Sequence, residues 1–465
     1  MDGLLSEGAN IEGLNEDGNT PLISAVLSGQ VDAVGYLLDK GAKLTTKDSN
    51  LVIPPLFHAA LAGKLDVMTL LLDLGADPNA RGTYGNPFFV GAVSKAPLPA
   101  VRLLLDRGAE ANTTGINGKH VIVVAAQRGD LDLVKLLLNR GVSVSTRAPS
   151  GQSLISIVVD VGSVPLAKLL LDRDADVNSR MPSGGTVLSL AVSKNNFEMA
   201  ELLLSRGADV DSRDMSGQSL VGGCVAKDRD PKLLKLLLDH GADVSIRDLS
   251  NKTPLANAIS AGNFDLARTL LSYGSDPNDT PSWQGVTSSP LGHCIQKDRL
   301  DGVKLLLEFQ ADPNKADHQG QTPLLFSVSK NKTEAVKLLL SASGNPNVRN
   351  GSGDTALALA VKEGNMELVR LLLRASGNPN VRNGSGETAL AFAVKDGNME
   401  MVRLLLQHGA LVFRGSKSAV EIAKKSGRAD ILRVLEASRT PSSSSVTSAT
   451  AVEHANQDAP PAYGE

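Results

Sequence analysis

A period of about 33 residues runs through this chain of 465 residues and limits what it can fold into. It is marked by thirteen anchor positions, each of which begins a helix-forming segment: Thr20, Pro54, Pro87, His120, Ser153, Thr186, Ser219, Thr253, Ser289, Thr322, Thr355, Thr388 and Ser418. Eight of the twelve intervals between them are 33 residues long. One small unit is therefore repeated, and it buries its apolar face by stacking on its neighbours.

Each unit predicts two short helices and a hairpin-like connection. In the first complete unit Thr20 suits an N-cap and Pro21 the first helical position, and this helix ends at Gly29. The second helix, VDAVGYLLDK, ends at Gly41, because glycine adopts the left-handed conformation after a helix at least cost. The sequence therefore predicts an all-α, elongated solenoid of stacked helix-turn-helix units with projecting hairpin-like fingers.

Two segments carry a resemblance to a known family. DGNTPLISAVLSGQVDAVGYLLDKGAK, from Asp17, and SNKTPLANAISAGNFDLARTLLSYGSDPN, from Ser250, are similar to the ankyrin repeat pattern. The resemblance covers about residues 1–438. It implies L-shaped units whose fingers project to one side, and a concave binding face made of finger tips and first helices. It also implies a scaffold or adaptor that binds other proteins and does no chemistry.

The ends of the chain differ from the middle. We expect a solenoid over 1–438, in which 1–13 is a partial first unit and the shorter, charged segment 414–438 is a cap. Residues 439–465 are rich in Ser, Thr and Pro and predict disorder. The start in mid-unit allows a second interpretation, in which the array is the sensor or targeting arm of a multidomain signalling protein whose effector domain lies upstream.

Composition narrows the classes of partner. The formal net charge of −3 and the pI near 6.2 give no reason to expect nucleic-acid binding. No apolar run approaches the 18 residues or so that a membrane span needs, so membrane insertion is not expected. Two cysteines in the chain fit a reducing compartment. We expect an intracellular monomer, in the cytoplasm or the nucleus.

One duplicated motif imitates a nucleotide site. GSGDTA at Gly351 and GSGETA at Gly384 match a dinucleotide-binding fingerprint letter for letter. That fingerprint follows a hydrophobic strand, whereas NPNVRN precedes both copies here. We interpret Gly353 and Gly386 as turn glycines of the fingers, and we predict no cofactor.

Other chemistry-bearing residues also have structural interpretations. Cys224 and Cys294 suggest a disulfide, a nucleophile or, with His293, a metal site. Both cysteines occupy the same position of the repeat, two units apart, so roughly 20 Å separates them at about 8–10 Å per layer. We predict that they are small core residues. No motif of a catalytic or metal-binding class remains, so we predict no enzyme.

Apolar residues on the fingers are the candidate partner-binding residues. One set falls on or beside a single tip position: Tyr84, Ile116, Met215, Leu249, Trp283 and the adjacent Gln284. Such residues in a row predict a contact strip. In the alternative interpretation each side chain packs against its neighbouring finger, and the ring of Trp283 covers its own hairpin.

An arginine recurs at one position of the fingers. The members are Arg81, Arg147, Arg180, Arg213, Arg247, Arg349 and Arg382. They suggest a basic ridge, but acidic neighbours such as Asp214 and Asp248 offset their charge. We interpret the row as a solvated, partly paired face.

Two further predictions concern the last third of the chain. The units 343–375 and 376–408 carry SGN where the family pattern has GAD, and the displaced glycine predicts a preceding helix longer by one residue. In the tail, PPAY (Pro460, Pro461 and Tyr463) resembles the PPxY ligand of WW domains, which bind it as a polyproline II helix.

Overall fold

The structure is a computed structural model, and it describes residues 10–44, 53–82, 85–226, 230–279, 289–317, 319–412 and 418–438. The chain divides into two compact units, Met1–Gln284 and Gly285–Glu465. Repeats 1–8 fall in the first unit and repeats 9–13 in the second, counted by their anchors.

Two helices follow each anchor. The first helices are α1 Pro21–Ser28, α3 Pro55–Leu61, α5 Phe88–Lys95, α7 Val121–Arg128, α9 Leu154–Val161, α11 Val187–Ser193, α13 Leu220–Ala226, α15 Pro254–Ala261, α17 Pro290–Gln296, α19 Pro323–Ser329, α21 Ala356–Lys362, α23 Ala389–Asp396 and α25 Ala419–Lys425. The second helices are α2 Val31–Asp39, α4 Leu65–Asp73, α6 Leu98–Asp106, α8 Leu131–Asn139, α10 Val164–Leu171, α12 Phe197–Ser205, α14 Pro231–Asp239, α16 Phe264–Ser272, α18 Leu300–Glu308, α20 Thr333–Ser341, α22 Met366–Arg374, α24 Met399–Gln407 and α26 Ala429–Ala437. The all-α prediction is confirmed.

The anchors begin the first helices as N-caps. Thr20, for example, has an extended backbone, and its hydroxyl accepts a hydrogen bond from the Ile23 backbone N–H at 3.3 Å. A side chain caps the helix in the same way at every anchor except Pro54 and Pro87. The cap satisfies a backbone donor that has no partner inside the helix, so it fixes where each repeat starts.

Two apolar layers hold the repeats together. The residue two places after each anchor is buried throughout: Leu22, Leu56, Phe89, Ile122, Ile155, Leu188, Val221, Leu255, Leu291, Leu324, Leu357, Leu390 and Val420. The middle leucine of the LLL segment in the second helices is also buried. Within each unit every first helix packs on its own second helix and on the next first helix. Stacking therefore makes one continuous core per unit.

The left-handed residue after each second helix explains the SGN segments. Gly75 and its equivalents hold positive φ in most repeats, whereas Ser343 and Ser376 hold it in repeats 10 and 11, with φ of 65° and 63°. The helices before them, α20 and α22, are nine residues long, like α4. The predicted extra helical residue is therefore wrong, because serine takes the left-handed position itself. The glycine that follows is needed for space, since a Cβ on Gly344 would lie 2.8 Å from the Leu339 carbonyl oxygen.

An asparagine ladder links consecutive repeats. Asn347 Nδ2 donates to the Ser376 carbonyl at 3.1 Å, and its Oδ1 accepts from the Asn378 backbone N–H at 2.7 Å. The same pair of bonds is made by Asn79, Asn178, Asn314 and Asn380. Each asparagine thus satisfies two backbone groups at the end of the next second helix.

Candidate functional site

The fingers are tight turns closed by the same bonds from repeat to repeat. In the finger before Thr186, the Met181 N–H donates to the Gly185 carbonyl and the Gly184 N–H donates to the Met181 carbonyl. An isolated antiparallel bridge pairs Arg180 with Thr186. Equivalent bridges occur in the fingers before Pro87, His120, Ser153 and Ser219. A finger of this kind holds its tip residues at a fixed place because the backbone is closed on both sides of them.

The recurring arginines belong to this closure. Arg213 Nη1 donates to the Gly217 carbonyl at 2.7 Å, across the turn of its own finger. Five other arginines make the equivalent bond: Arg81, Arg147, Arg180, Arg247 and Arg382. Arg247 also pairs with Asp279 at 2.5 Å. The prediction of a solvated, partly paired face therefore fits these residues, and their structural role is to clamp the finger tips.

Large apolar side chains are exposed at the tips. The exposed fraction is 66% for Ile116, 62% for Met215 and 87% for Leu249. All three occupy the position four residues before an anchor, as their spacing predicted. Side chains exposed to this degree in a well-packed array have no role in its core.

Two prolines lie at the same tip position on the intervening fingers. Pro149 and Pro182 occupy the same position on the two fingers between Ile116 and Met215, and both are exposed. Five consecutive fingers thus carry the apolar tip row, which we define as Ile116, Pro149, Pro182, Met215 and Leu249. The sequence prediction did not include the prolines, although the repeat register places both at the tip position.

Glycines pack the tips of the row against each other. A Cβ placed on Gly118 would lie 3.3 Å from Pro149 Cγ, and one on Gly151 would lie 3.4 Å from Pro182 Cγ. Each proline ring therefore lies over the turn of the preceding finger. Both prolines are nevertheless classed as exposed, so packing on the neighbouring finger does not bury them. The contact strip stays a prediction.

The corresponding fingers of repeats 11 and 12 have a different surface. Their tip position holds Gly351 and Gly384, and the Gly384 N–H donates to the Ser352 carbonyl at 3.0 Å. A Cβ on Gly353 would lie 2.6 Å from the Gly384 nitrogen, so backbone contacts backbone here. These are the glycines that imitate a dinucleotide fingerprint. Gly353 and Gly386 have φ of 79° and 80° in finger turns, so the turn interpretation is confirmed.

A carboxylate stands beside the last residue of the tip row. Burial alone would raise the pKa of Asp248. Four interactions outweigh the effect of burial and lower the pKa below its ordinary value. They are hydrogen bonds from the Asn257 amide and from the backbone N–H groups of Lys252 and Ser250, and the positive charge of Lys252. Asp248 therefore stays ionised next to Leu249 and gives this end of the row a negative edge.

The other predicted site residues lie outside the described residues. These are Tyr84, Trp283 and Gln284 on the fingers, and Pro460, Pro461 and Tyr463 in the tail. Their roles stay sequence predictions.

The described residues hold no sign of the chemistry considered from sequence. Cys224 and Cys294 are buried and form no disulfide, and burial raises the pKa of Cys294 to about 12, so its thiol stays protonated. Among the described side chains no group of three or more His, Cys, Asp or Glu is placed to hold a metal ion. None of the helices described is both long and apolar enough to cross a membrane.

The family models that match this sequence all describe ankyrin repeats. Models described as ankyrin repeats in three copies match residues 122–214, 223–281, 291–383 and 357–440. A model of many copies matches 91–138, and the single-repeat model matches 17–49 and 54–83. No curated protein matches the sequence significantly.

Solved structures add one example. A crystal structure of an ankyrin repeat domain from Acinetobacter baumannii AYE is 31% identical and covers 41% of this chain and 98% of its own, at a TM-score of 0.38. That overall likeness is low, so the assignment rests on the family models, which match well over half of the sequence. The chain belongs to the ankyrin repeat family.

Proposed function

We propose that this protein is a non-enzymatic scaffold or adaptor and that it binds a partner protein through the apolar tip row. Ankyrin repeats generally mediate protein–protein interaction, which fits this reading. The single observation that carries the proposal is the alignment of five exposed apolar residues on five consecutive fingers. The low charge and the two buried cysteines, which form no disulfide, support an intracellular setting.

Geometry favours a partner with apolar side chains in a line. Successive layers of packed helices lie about 8–10 Å apart, so the apolar tip row offers contacts at that interval. Removing such side chains from water stabilises a complex by roughly 25 cal/mol for each Å2 buried. Val124 and Leu190 are half-buried at equivalent positions of α7 and α11, and we propose that they contribute to the same interface. We propose that Tyr84, Trp283 and Gln284 belong to the same interface.

Charge substitution in the row tests the proposal. Leu249→Asp and Met215→Asp place a carboxylate on a tip without disturbing the core, because both side chains are exposed. Leu411→Asp is the matched control, since Leu411 is 55% exposed but lies outside the row. Partners captured by the wild-type chain and identified by mass spectrometry should be lost with the two tip variants and retained with the control. Equal capture by all three variants excludes the apolar tip row as the interface.

The tail supports a second contact. We propose that Pro460, Pro461 and Tyr463 recruit a WW domain, on the strength of the PPAY motif alone. Tyr463→Ala should abolish binding of the chain to a purified WW domain in a titration, and Leu249→Asp should leave that binding unchanged. Binding that survives Tyr463→Ala would mean that the motif is not used.

A further inference from the structure

One cavity of the first unit is lined by two residues whose buried polar atoms have no hydrogen-bond partner. It lies beneath the finger before Thr253, and its volume is about 400 Å3. Its lining includes Ser245, Arg247, Leu255, Ser275, Asp276 and Asp279. Small-molecule and side-chain sites in proteins typically enclose roughly 300–1,000 Å3, so the space suits a ligand rather than a single water.

Two buried polar atoms of this cavity have no partner. Ser275 is 8% exposed, and its hydroxyl makes no hydrogen bond. Asp279 Oδ1 accepts from Arg247 Nη2 at 2.5 Å, but Asp279 Oδ2 is buried and unpaired. A buried polar group without a partner costs about 1–3 kcal/mol, and a charged one more. A ligand that hydrogen-bonds to both atoms would recover this free energy.

In the equivalent cavity under repeat 5, the two corresponding residues carry no unpaired buried polar atom. Its volume is about 170 Å3, and Ala175 and Ser179 stand where Ser275 and Asp279 stand in repeat 8. The Ser179 hydroxyl donates to Ser153 Oγ at 2.8 Å. The cavity beneath repeat 8 is therefore a local variant of a feature that also occurs under repeat 5, and Ser275 and Asp279 account for its two unpaired atoms.

Both residues are exceptional in the sequence. The Ser275 position holds only small apolar residues or glycine in the other repeats: Ala42, Ala76, Ala109, Val142, Ala175, Ala208, Ala242, Ala311, Gly344, Gly377 and Ala410. The Asp279 position is uncharged on the six preceding fingers: Ala80, Thr113, Thr146, Ser179, Ser212 and Ile246. A serine and an aspartate thus enter one repeat together, at positions where the fold itself requires neither.

The charges of the lining indicate the class of ligand. Arg247 contributes one positive charge, and Asp276 and Asp279 contribute two negative charges. Asp276 Oδ1 accepts from the Asn278 backbone N–H at 2.8 Å, whereas Asp279 Oδ2 is buried without a hydrogen-bond partner. Val244 and Leu255 provide an apolar wall. We propose that this cavity binds an ammonium or guanidinium group on a short aliphatic stem, with Asp279 Oδ2 and Ser275 Oγ accepting its N–H hydrogen bonds. The site is independent of the apolar tip row.

Titration of the full chain by calorimetry tests this proposal. The probes are Nα-acetyl-arginine amide, its uncharged analogue Nα-acetyl-citrulline amide, and butylammonium. The arginine derivative should bind and the citrulline derivative should bind about tenfold or more weakly, because a hydrogen bond to a charged group contributes about 1.5–3 kcal/mol. Butylammonium has the stem and charge of a lysine side chain. Comparable binding of the two cations would therefore mean that the cavity accepts either ammonium or guanidinium, and preference for the arginine derivative would indicate a guanidinium group.

Two variants localise the site. Ser275→Ala restores the residue that most repeats carry, so it should fold, and it should weaken cation binding about tenfold. It should also leave the unliganded chain as stable as wild type or more stable, since it removes a buried hydroxyl without a partner. Asp279→Asn should weaken binding further. Ala175→Ser is the matched control, because it adds a hydroxyl to the repeat 5 cavity, where Ser179 replaces the aspartate. It should leave the affinity for the charged probes unchanged.

The proposal is overturned by either of two results. One is the absence of binding by wild type at millimolar concentrations of the charged probes, which would mean that the cavity holds water only. The other is equal affinity of wild type and Ser275→Ala. Neither result bears on the tip row, because Met215→Asp, on a finger that does not line the cavity, should leave cation binding unchanged.

Discussion

Serine occupies a left-handed position after two second helices, where glycine would be less strained. Ser376 has φ of 63°, and its side chain is exposed. A left-handed backbone costs a non-glycine residue about 1–2 kcal/mol. Ser376→Gly should therefore raise the free energy of unfolding by about 1 kcal/mol, measured by urea denaturation. Ser352→Gly is the control, because Ser352 is exposed but has no positive φ. A gain equal to the control would contradict the argument.

A histidine that caps a helix makes the first unit sensitive to pH. His120 Nδ1 accepts from the Ile122 backbone N–H at 3.3 Å, and Nε2 donates to Asn112 Oδ1 at 2.8 Å, so the ring is neutral. Burial lowers the pKa of His120 from its ordinary value of 6.5. The folded state therefore binds fewer protons than the unfolded state. The contribution of His120 to stability is fully present above pH 6.5 and is lost as pH falls through the lower folded value.

His120→Thr tests this dependence, because threonine caps the equivalent helix in six of the other twelve repeats. Between pH 7.5 and 5.5 the urea midpoint of wild type should fall more than that of His120→Thr. The difference between the two proteins at each pH isolates this one residue from the other histidines. Equal slopes would show that His120 does not titrate as a buried cap.

Among the elements, the finger-to-helix connection depends on the asparagine ladder. Asn347→Ala removes two hydrogen bonds to the next repeat and should destabilise the chain by about 1–2 kcal/mol. Asn345→Ala is the control in the same segment, since the Asn345 side chain accepts only a local bond from the Asn347 N–H. Urea denaturation should show the larger loss for Asn347→Ala. A loss no larger than that of the control would mean that solvent replaces both bonds.

The helices and fingers also show which features could be predicted from the sequence alone. The helices and their caps were predictable, because Thr20 and its equivalents carry their signal locally. Ile116, Met215 and Leu249 were predictable as tip residues, because register fixes which position leaves the core. The same register places Pro149 at a tip, and what it could not predict is the contact of the proline ring with Gly118 in another finger. Contacts of this kind join residues about one period apart, and no local pattern records them.

For the whole molecule, stability is expected to be a sum over repeats and their interfaces. Residues 343–375 and 376–408 differ at six of 33 positions, so one of them duplicates the other. Deletion of 376–408 joins Ala375 to Gly409 and places glycine at the left-handed position after α22. The cap formed by α25 and α26 would then stack on repeat 11 in the register that it now has with repeat 12.

This deletion should give a folded protein. The helical signal per residue in circular dichroism should be unchanged, and urea unfolding should stay cooperative with a smaller m value, because less surface is exposed on unfolding. Deletion of 376–391 is the control, since half a repeat removes the register between neighbouring helices and should lower the helical signal and broaden the transition. If the deletion of a whole repeat broadened the transition as much, repeats 11 and 12 would be a single cooperative element. The contact to examine first would then be the packing of Lys362 on the Phe392 ring, where Nζ lies 4.3 Å from the ring centre.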